Sequence, residues 1–164
     1  KLIKLWEADS EGVNLPEGFV PDTVYLLETE GEYVGIFNLR HRLTEGLIHG
    51  AGHIGYGISP KYRGKGYAAK GLEMLLEIAR KIVPEEEIYL SVHKDNLASL
   101  NVQKKNGAYI HHENEAEYFT RIPLKDRGYR KFMVHLMQKQ YKIEILLDYE
   151  QKRITKLQEL TLEW

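Results

Sequence analysis

The stretch Gly52-His53-Ile54-Gly55-Tyr56-Gly57-Ile58-Ser59-Pro60-Lys61-Tyr62-Arg63-Gly64-Lys65-Gly66-Tyr67-Ala68 decides how this chain is read. Its first half alternates apolar residues with glycines from Ile54 to Ile58, which predicts a short strand. Its second half, Arg63 to Ala68, joins Pro60 to the first turn of a predicted helix. Two glycines there let the backbone turn tightly and approach a ligand with no Cβ in the way. The helix that follows leaves its first N–H groups without intrahelical partners. Together these donors suit a phosphate or pyrophosphate. An ordinary strand-to-helix turn with surface charges has the same composition, so the loop alone does not decide. Two better-known phosphate loops are excluded. Lys65 is followed by Gly66 where a P-loop needs Ser or Thr, and Pro60 occupies the third glycine position of a dinucleotide fingerprint starting at Gly55.

Outward from this stretch, strands and helices alternate. Thr23–Thr29 and Tyr33–Leu39 are β-rich runs around Gly31-Glu32 and predict a hairpin. Residues 8–22 carry Gly12, Pro16, Gly18 and Pro21 and read as irregular, with no amphipathic helix before the hairpin. Ala68, Leu72, Leu75, Leu76, Ala79 and Ile82 lie on one stripe of a helix that Pro84 ends. Ile88–Val92 reads as a buried strand, Leu97–Lys105 as a short helix stopped by Asn106-Gly107, and Ala108–His112 and Tyr118–Ile122 as further strands. Beyond Pro123, Phe132–Tyr141 is helix-compatible, Ile143–Tyr149 fits strand or helix, and Ile154, Leu157 and Leu160 have helical spacing. The expected division is a domain over 1–124 and a C-terminal extension over 125–164, packed on the domain or on a partner subunit.

Composition narrows the function. The chain has 164 residues, 43% hydrophobic and 29% charged, which is globular rather than disordered. It contains no cysteine, so disulfides, thiolate metal ligands and a thiol nucleophile are excluded. This fits a reducing cytosol, and a cytoplasmic location is expected. No apolar run approaches the ~20 residues a membrane helix needs. A net charge of −1 argues for neither nucleic acid nor an anionic membrane as partner. The charge is nevertheless segregated. Eight acids and no Lys or Arg lie between Glu7 and Glu32, while six Lys or Arg face Asp126 alone between Lys125 and Lys142. Two solvated faces explain this most simply; an acidic lip that concentrates a cationic substrate is the sharper alternative. No metal is expected. His49 and His53 are four apart, but Gly50 and Gly52 oppose a helix that would align them, and the adjacent His111 and His112 point to opposite faces of a strand.

Gly52 to Ala68 resembles motif A of the GNAT N-acetyltransferases, whose core Gln/Arg-x-x-Gly-x-Gly/Ala is matched by Arg63, Gly66 and Ala68. Asn96-Leu97-Ala98-Ser99 followed by Lys105-Asn106-Gly107-Ala108 resembles the family's second motif at the expected distance. Arg40-His41-Arg42-Leu43 ahead of Gly52-His53-Ile54-Gly55-Tyr56 is similar to a group of bacterial members. The resemblance covers roughly residues 20–123.

It implies an α/β acyl-CoA N-acyltransferase fold, with a mixed central sheet and two splayed parallel strands, here His53–Ser59 and Ile88–His93. It implies that acetyl-CoA, the co-substrate, lies between them and gives its acetyl group to an attacking amine. The pyrophosphate would sit on the loop Arg63, Gly64, Lys65, Gly66, Tyr67 and Ala68. Ile58 would offer backbone groups to the pantetheine arm, and Asn96 would hydrogen-bond it. The family's usual thiolate acid, a Tyr, is replaced here by Gln103, which leaves Tyr109 as the substitute. The same replacement supports a rival, a catalytically weak module that binds or senses acyl-CoA. His53 stands near where the family often carries a basic Glu, and an imidazole titrates in the right range for a base. Arg40 and His41 would lie toward the amine acceptor. The elements that usually precede the hairpin, one wall of the acceptor site, are expected to be shortened. A homodimer is expected, with no nucleic-acid or membrane partner.

Overall fold

The computed structural model describes residues 2–124 and 141–145. A helix α1, Leu2–Glu11, precedes the hairpin β1, Asp22–Thr29, and β2, Glu32–Arg40. Its presence corrects the expectation that no helix stands there. Trp6 packs with Leu26, Tyr33, Val24 and Ile36 on one face of the hairpin. That single aromatic anchor is too little periodicity to announce a helix in the sequence. The hairpin turns at Glu30 and Gly31, both with positive φ (52° and 76°), one residue earlier than expected.

A short helix α2, Glu45–Ile48, leads to β3, Ile54–Ile58, with the predicted bounds. A 3-10 turn, Pro60–Tyr62, and the glycine loop follow, then α3, Tyr67–Ile82. The remaining elements are β4, Glu87–His93, α4, Leu97–Lys105, β5, Tyr109–Glu113, β6, Glu117–Pro123, and β7, Tyr141–Ile145. Of the segments expected beyond Pro123, Ile143–Ile145 falls in the strand β7, which pairs antiparallel with β1. Of the helix-compatible run Phe132–Tyr141, Tyr141 opens the strand β7 instead, and the rest of that run, like Ile154, Leu157 and Leu160, lies outside the described residues.

The strands form two sheets, ordered β3-β2-β1-β7 and β4-β6-β5, and each ladder in them is antiparallel. The expected mixed sheet with splayed parallel strands is therefore realised differently. β3 and β4 are the facing edges of two separate sheets, and no parallel ladder joins them among the described residues.

One core holds the two sheets together. Tyr25, Leu27, Phe37 and Leu39 from the hairpin meet Leu72, Leu75 and Ala79 from α3, with Ile88, Leu90 and Ile122 from the second sheet. Burying each such side chain contributes about 1.5–3 kcal/mol. α3 lies so close to β2 that a Cβ on Gly71 would enter the Phe37 ring, so only glycine fits there. This contact fixes where the N-terminus of α3 stands relative to β3.

Candidate functional site

β3 and β4 are tied at one end only. Gly52 bridges to Leu90, the His53 N–H donates to the Tyr89 carbonyl at 2.7 Å, and the Tyr89 N–H donates to His53 Nδ1 at 2.9 Å. From Ile54 onward the strands share no ladder. Arg40 N–H bonds the His53 carbonyl and Ser59 N–H bonds the Val34 carbonyl, so the odd-numbered residues of β3 address β2. By alternation, Ile54, Tyr56 and Ile58 turn their backbone groups to the other edge, toward the gap. There Arg63 Nε donates to the Ile58 carbonyl at 2.9 Å. Arg63 thus ties the loop to the strand through its Nε.

The loop ends at the start of α3 with two left-handed glycines. Gly64 and Gly66 have φ of 75° and 82°, and Gly66 caps α3 in the left-handed conformation with no side chain to bond the first turn. A Cβ at either glycine would meet nothing within 4 Å. Their role is therefore backbone conformation and approach from outside, not relief of crowding inside the protein. Lys61 and Lys65 stand over the Tyr62 ring at 4.8 and 5.8 Å, and Tyr67 meets that ring edge-on at 6.3 Å. Ala68 is half-buried against the main core.

Across the gap, Asn96 caps α4 by accepting the Ser99 N–H at 3.1 Å. Its side-chain oxygen is thereby used, and its amide N–H groups are what it has to offer a ligand. Tyr56 reaches from β3 to α4, its hydroxyl 2.8 Å from Ser99 Oγ and donating to the Ser99 carbonyl at 3.2 Å. One turn further along α4, the buried Gln103 accepts the Thr120 hydroxyl at 2.7 Å. Burial pushes the Tyr56 phenol above its usual pKa, with Ser99 and Gln103 pulling the other way. Tyr56 was absent from the residues expected at this site, although it lies inside the motif that decided the fold.

The two expected catalytic residues, His53 and Tyr109, each have hydrogen-bond partners within the protein. His53 is fully buried. Its Nδ1 accepts from Tyr89, so Nε2 carries the proton and donates to Glu85 Oε2 at 3.1 Å. Burial holds the imidazole below its usual pKa against the opposing pull of Glu85, while Arg121 and Arg40 add to the lowering. Neither nitrogen keeps a lone pair for an incoming ammonium, and the residue serves as a cross-link between β3 and β4. Tyr109 is exposed, donates to Glu87, and sits on β5, which β6 separates from β4. In that strand order Tyr109 stands one strand removed from β4, and its hydroxyl meets Glu87, the first residue of that strand.

Arg40 and His41 do lie beside the tied end. Arg40 Nη1 donates to the Gly52 carbonyl at 3.2 Å, and its Nε is 3.9 Å from Asp22. His41 Nε2 is 2.7 Å from Thr23 Oγ1, and burial lowers its pKa. Asp22 also accepts from Asn38 at 2.8 Å; burial raises its pKa despite Asn38 and Arg40. Among the described residues no group of three or more His, Asp or Glu is placed to hold a metal, and no helix is long and apolar enough to cross a membrane.

A family model described as an acetyltransferase (GNAT) domain matches residues 6–109. The match begins within α1, earlier than the motifs alone indicated. Spermidine N(1)-acetyltransferase of Escherichia coli K12 is 25% identical over 95 residues, which is 58% of this chain and 50% of that protein. The chain thus spans about half the length of the curated relatives it matches. Among solved structures, spermidine N-acetyltransferase of Vibrio cholerae, in complex with CoA and spermine, superposes with a TM-score of 0.55 at 16% identity, covering 75% of this chain and 73% of that one. The N-acetyltransferase PseH of Campylobacter jejuni superposes with a TM-score of 0.51 at 14% identity, covering 75% and 82%. At such identities these likenesses speak for the fold.

Proposed function

This chain belongs to the GNAT acetyltransferase family, and we propose that it moves the acetyl group of acetyl-CoA to a primary amine by direct attack. The observation that carries this reading is the geometry of Gly64 and Gly66. Two left-handed glycines open to solvent, at an uncapped helix start and among the cations Lys61 and Lys65, suit the CoA pyrophosphate. The pantetheine arm then lies along the gap edge of β3, where the backbone groups of Tyr56 and the Ile58 N–H meet its amides. The Asn96 amide reaches it from the other side. The acetyl carbonyl comes to rest toward the tied end, near Gly52 and His53.

The amine approaches from the side of the sheet that carries α1, Asp22 and Arg40. Polyamines head the list of acceptors, because the spermidine acetyltransferases are among the relatives. Residues 1–124 make up the catalytic domain in this reading, and 125–164 an extension. His53 and Glu85 position the two strand edges, and the amine proton leaves to water. The test is calorimetric acetyl-CoA binding, followed by release of free thiol over a panel of polyamines, amino acids and N-terminal peptides. Acetyl-CoA binding with thiol release that depends on an amine supports the proposal. No binding overturns it.

A further inference from the structure

We propose that Tyr56 is the acid that protonates the departing CoA thiolate, supplied from strand β3 in place of a residue on α4. The inference rests on the acetyl-transfer reading above. Tyr56 is the side chain that spans the gap. Its backbone lies on the edge of β3, and its hydroxyl lies on α4, the helix that follows β4. A thioester held between β3 and β4 passes this hydroxyl.

The surroundings fit an acid and the anion it leaves behind. Phe37 stacks on the Tyr56 ring with centroids 5.7 Å apart, which fixes the ring. The hydroxyl proton is directed at the Ser99 carbonyl, a weak hold at 3.2 Å that a sulfur anion outcompetes. Gln103, one turn along α4 from Ser99, has its amide oxygen occupied by the Thr120 hydroxyl and favours the ionised form of Tyr56. The Ser99 hydroxyl at 2.8 Å acts the same way. Both stabilise a phenolate once the proton has gone. Burial meanwhile keeps the phenol protonated at neutral pH.

The step balances. The amine nitrogen forms a bond to the acetyl carbon and loses a proton to water. The carbon–sulfur bond breaks, and its electron pair leaves on sulfur. The Tyr56 proton passes to that sulfur, giving the free thiol. The phenolate regains a proton from water, with the Ser99 hydroxyl between them.

The experiment compares two acetyl donors, acetyl-CoA and its selenium analogue acetyl-seleno-CoA, which keeps the pyrophosphate and the pantetheine arm and whose selenolate leaves without protonation. Tyr56→Phe keeps the stacking ring. We expect its turnover with acetyl-CoA to fall on the order of 10²-fold, the low end for a general acid. With the selenium analogue the fall should stay within about three-fold, and acetyl-CoA affinity by calorimetry should be unchanged. Ser99→Ala, on a half-exposed helix face, should show the same donor-selective loss at smaller size. Gln103→Tyr placed in the Tyr56→Phe background should restore part of the CoA-dependent rate. If Tyr56→Phe loses both donors equally, or keeps its acetyl-CoA rate, the assignment is overturned while acetyl transfer stands. If the wild-type chain binds acetyl-CoA but acetylates no amine from either donor, the transfer reading itself falls.

Discussion

The backbone N–H of Tyr89 donates to Nδ1 of His53 at 2.9 Å, and this bond sets where the two sheets part. An imidazole lone pair takes the place of a strand partner, and the gap opens beyond it. His53→Ala should therefore act on the fold before it acts on chemistry. It strands a buried N–H, takes one partner from Glu85, which keeps the Leu43 N–H on its other oxygen, and opens a cavity. The expected cost is about 2–3 kcal/mol in urea unfolding. A variant as stable as the wild type would show that the sheets are held by the core alone.

The same imidazole gives a pH dependence. Its pKa is lowered on folding from an ordinary 6.5, so the unfolded chain binds the proton more readily. The stability it contributes is full above that value and is lost as pH falls through it. His41 has the same sign, and Glu85, lowered from 4.5, extends the loss to more acid pH. Asp22 opposes it, but only upward from its ordinary 3.8. Unfolding free energy should decline between about pH 7 and pH 5.5, and His53→Gln should flatten that slope. A wild-type slope that His53→Gln leaves unchanged would assign the effect to His41 or to other histidines.

Gly52 and Gly64 separate two uses of glycine. Both have positive φ, 64° and 75°. At Gly52 a Cβ would drive into the Tyr89 carbonyl, whereas at Gly64 it meets open space. Gly64→Ala should cost only the left-handed conformation, about 1–2 kcal/mol. Gly52→Ala adds a backbone clash at the tie between the sheets and should cost clearly more. Equal melting temperatures for the two variants would contradict this.

How much of this was legible follows from range. The strand Ile54–Ile58 and the helix after Gly66 are written locally, in alternation, stripe and glycine spacing. α1 is hard to read because its apolar positions are few, Trp6 being the one that joins the hydrophobic cluster on the hairpin among the described side chains. That Tyr109 stands on β5, with β6 between it and β4, is a tertiary fact that strand spacing does not encode. Tyr56 and Ser99 lie 43 residues apart, and their contact depends on how two sheets meet. His53 was found as a residue but not in its role, since Tyr89 and Glu85 reach it from 36 and 32 residues away.

The glycine loop carries the donor prediction. Gly66→Asn keeps a residue type that tolerates positive φ and adds no charge. Gly66→Asp adds a carboxylate at the helix start where the pyrophosphate is to sit. Calorimetry should show acetyl-CoA binding weakened by Gly66→Asn and abolished by Gly66→Asp, with both variants folded. Equal affinity for the two would mean that no anion is bound there.

The acceptor prediction concerns the acids before the hairpin. An amine arrives as a cation at neutral pH, and carboxylates near its path raise its local concentration. Asp22 is unsuited to this, since Asn38 and Arg40 already hold it. Glu11 and Glu17 are exposed, at the end of α1 and in the segment after it, on the side assigned to the amine. Steering by exposed charges is screened over about 8–10 Å near physiological ionic strength. The apparent KM for the amine should thus rise with salt, and that for acetyl-CoA should change less. Glu11→Gln with Glu17→Gln should raise the amine KM at low salt and weaken its salt dependence, leaving kcat in place. A flat amine KM from low to high salt reduces these acids to a solvated face. A preference for neutral or anionic acceptors would go further, because it would move recognition to Arg42 and the exposed side of Arg40.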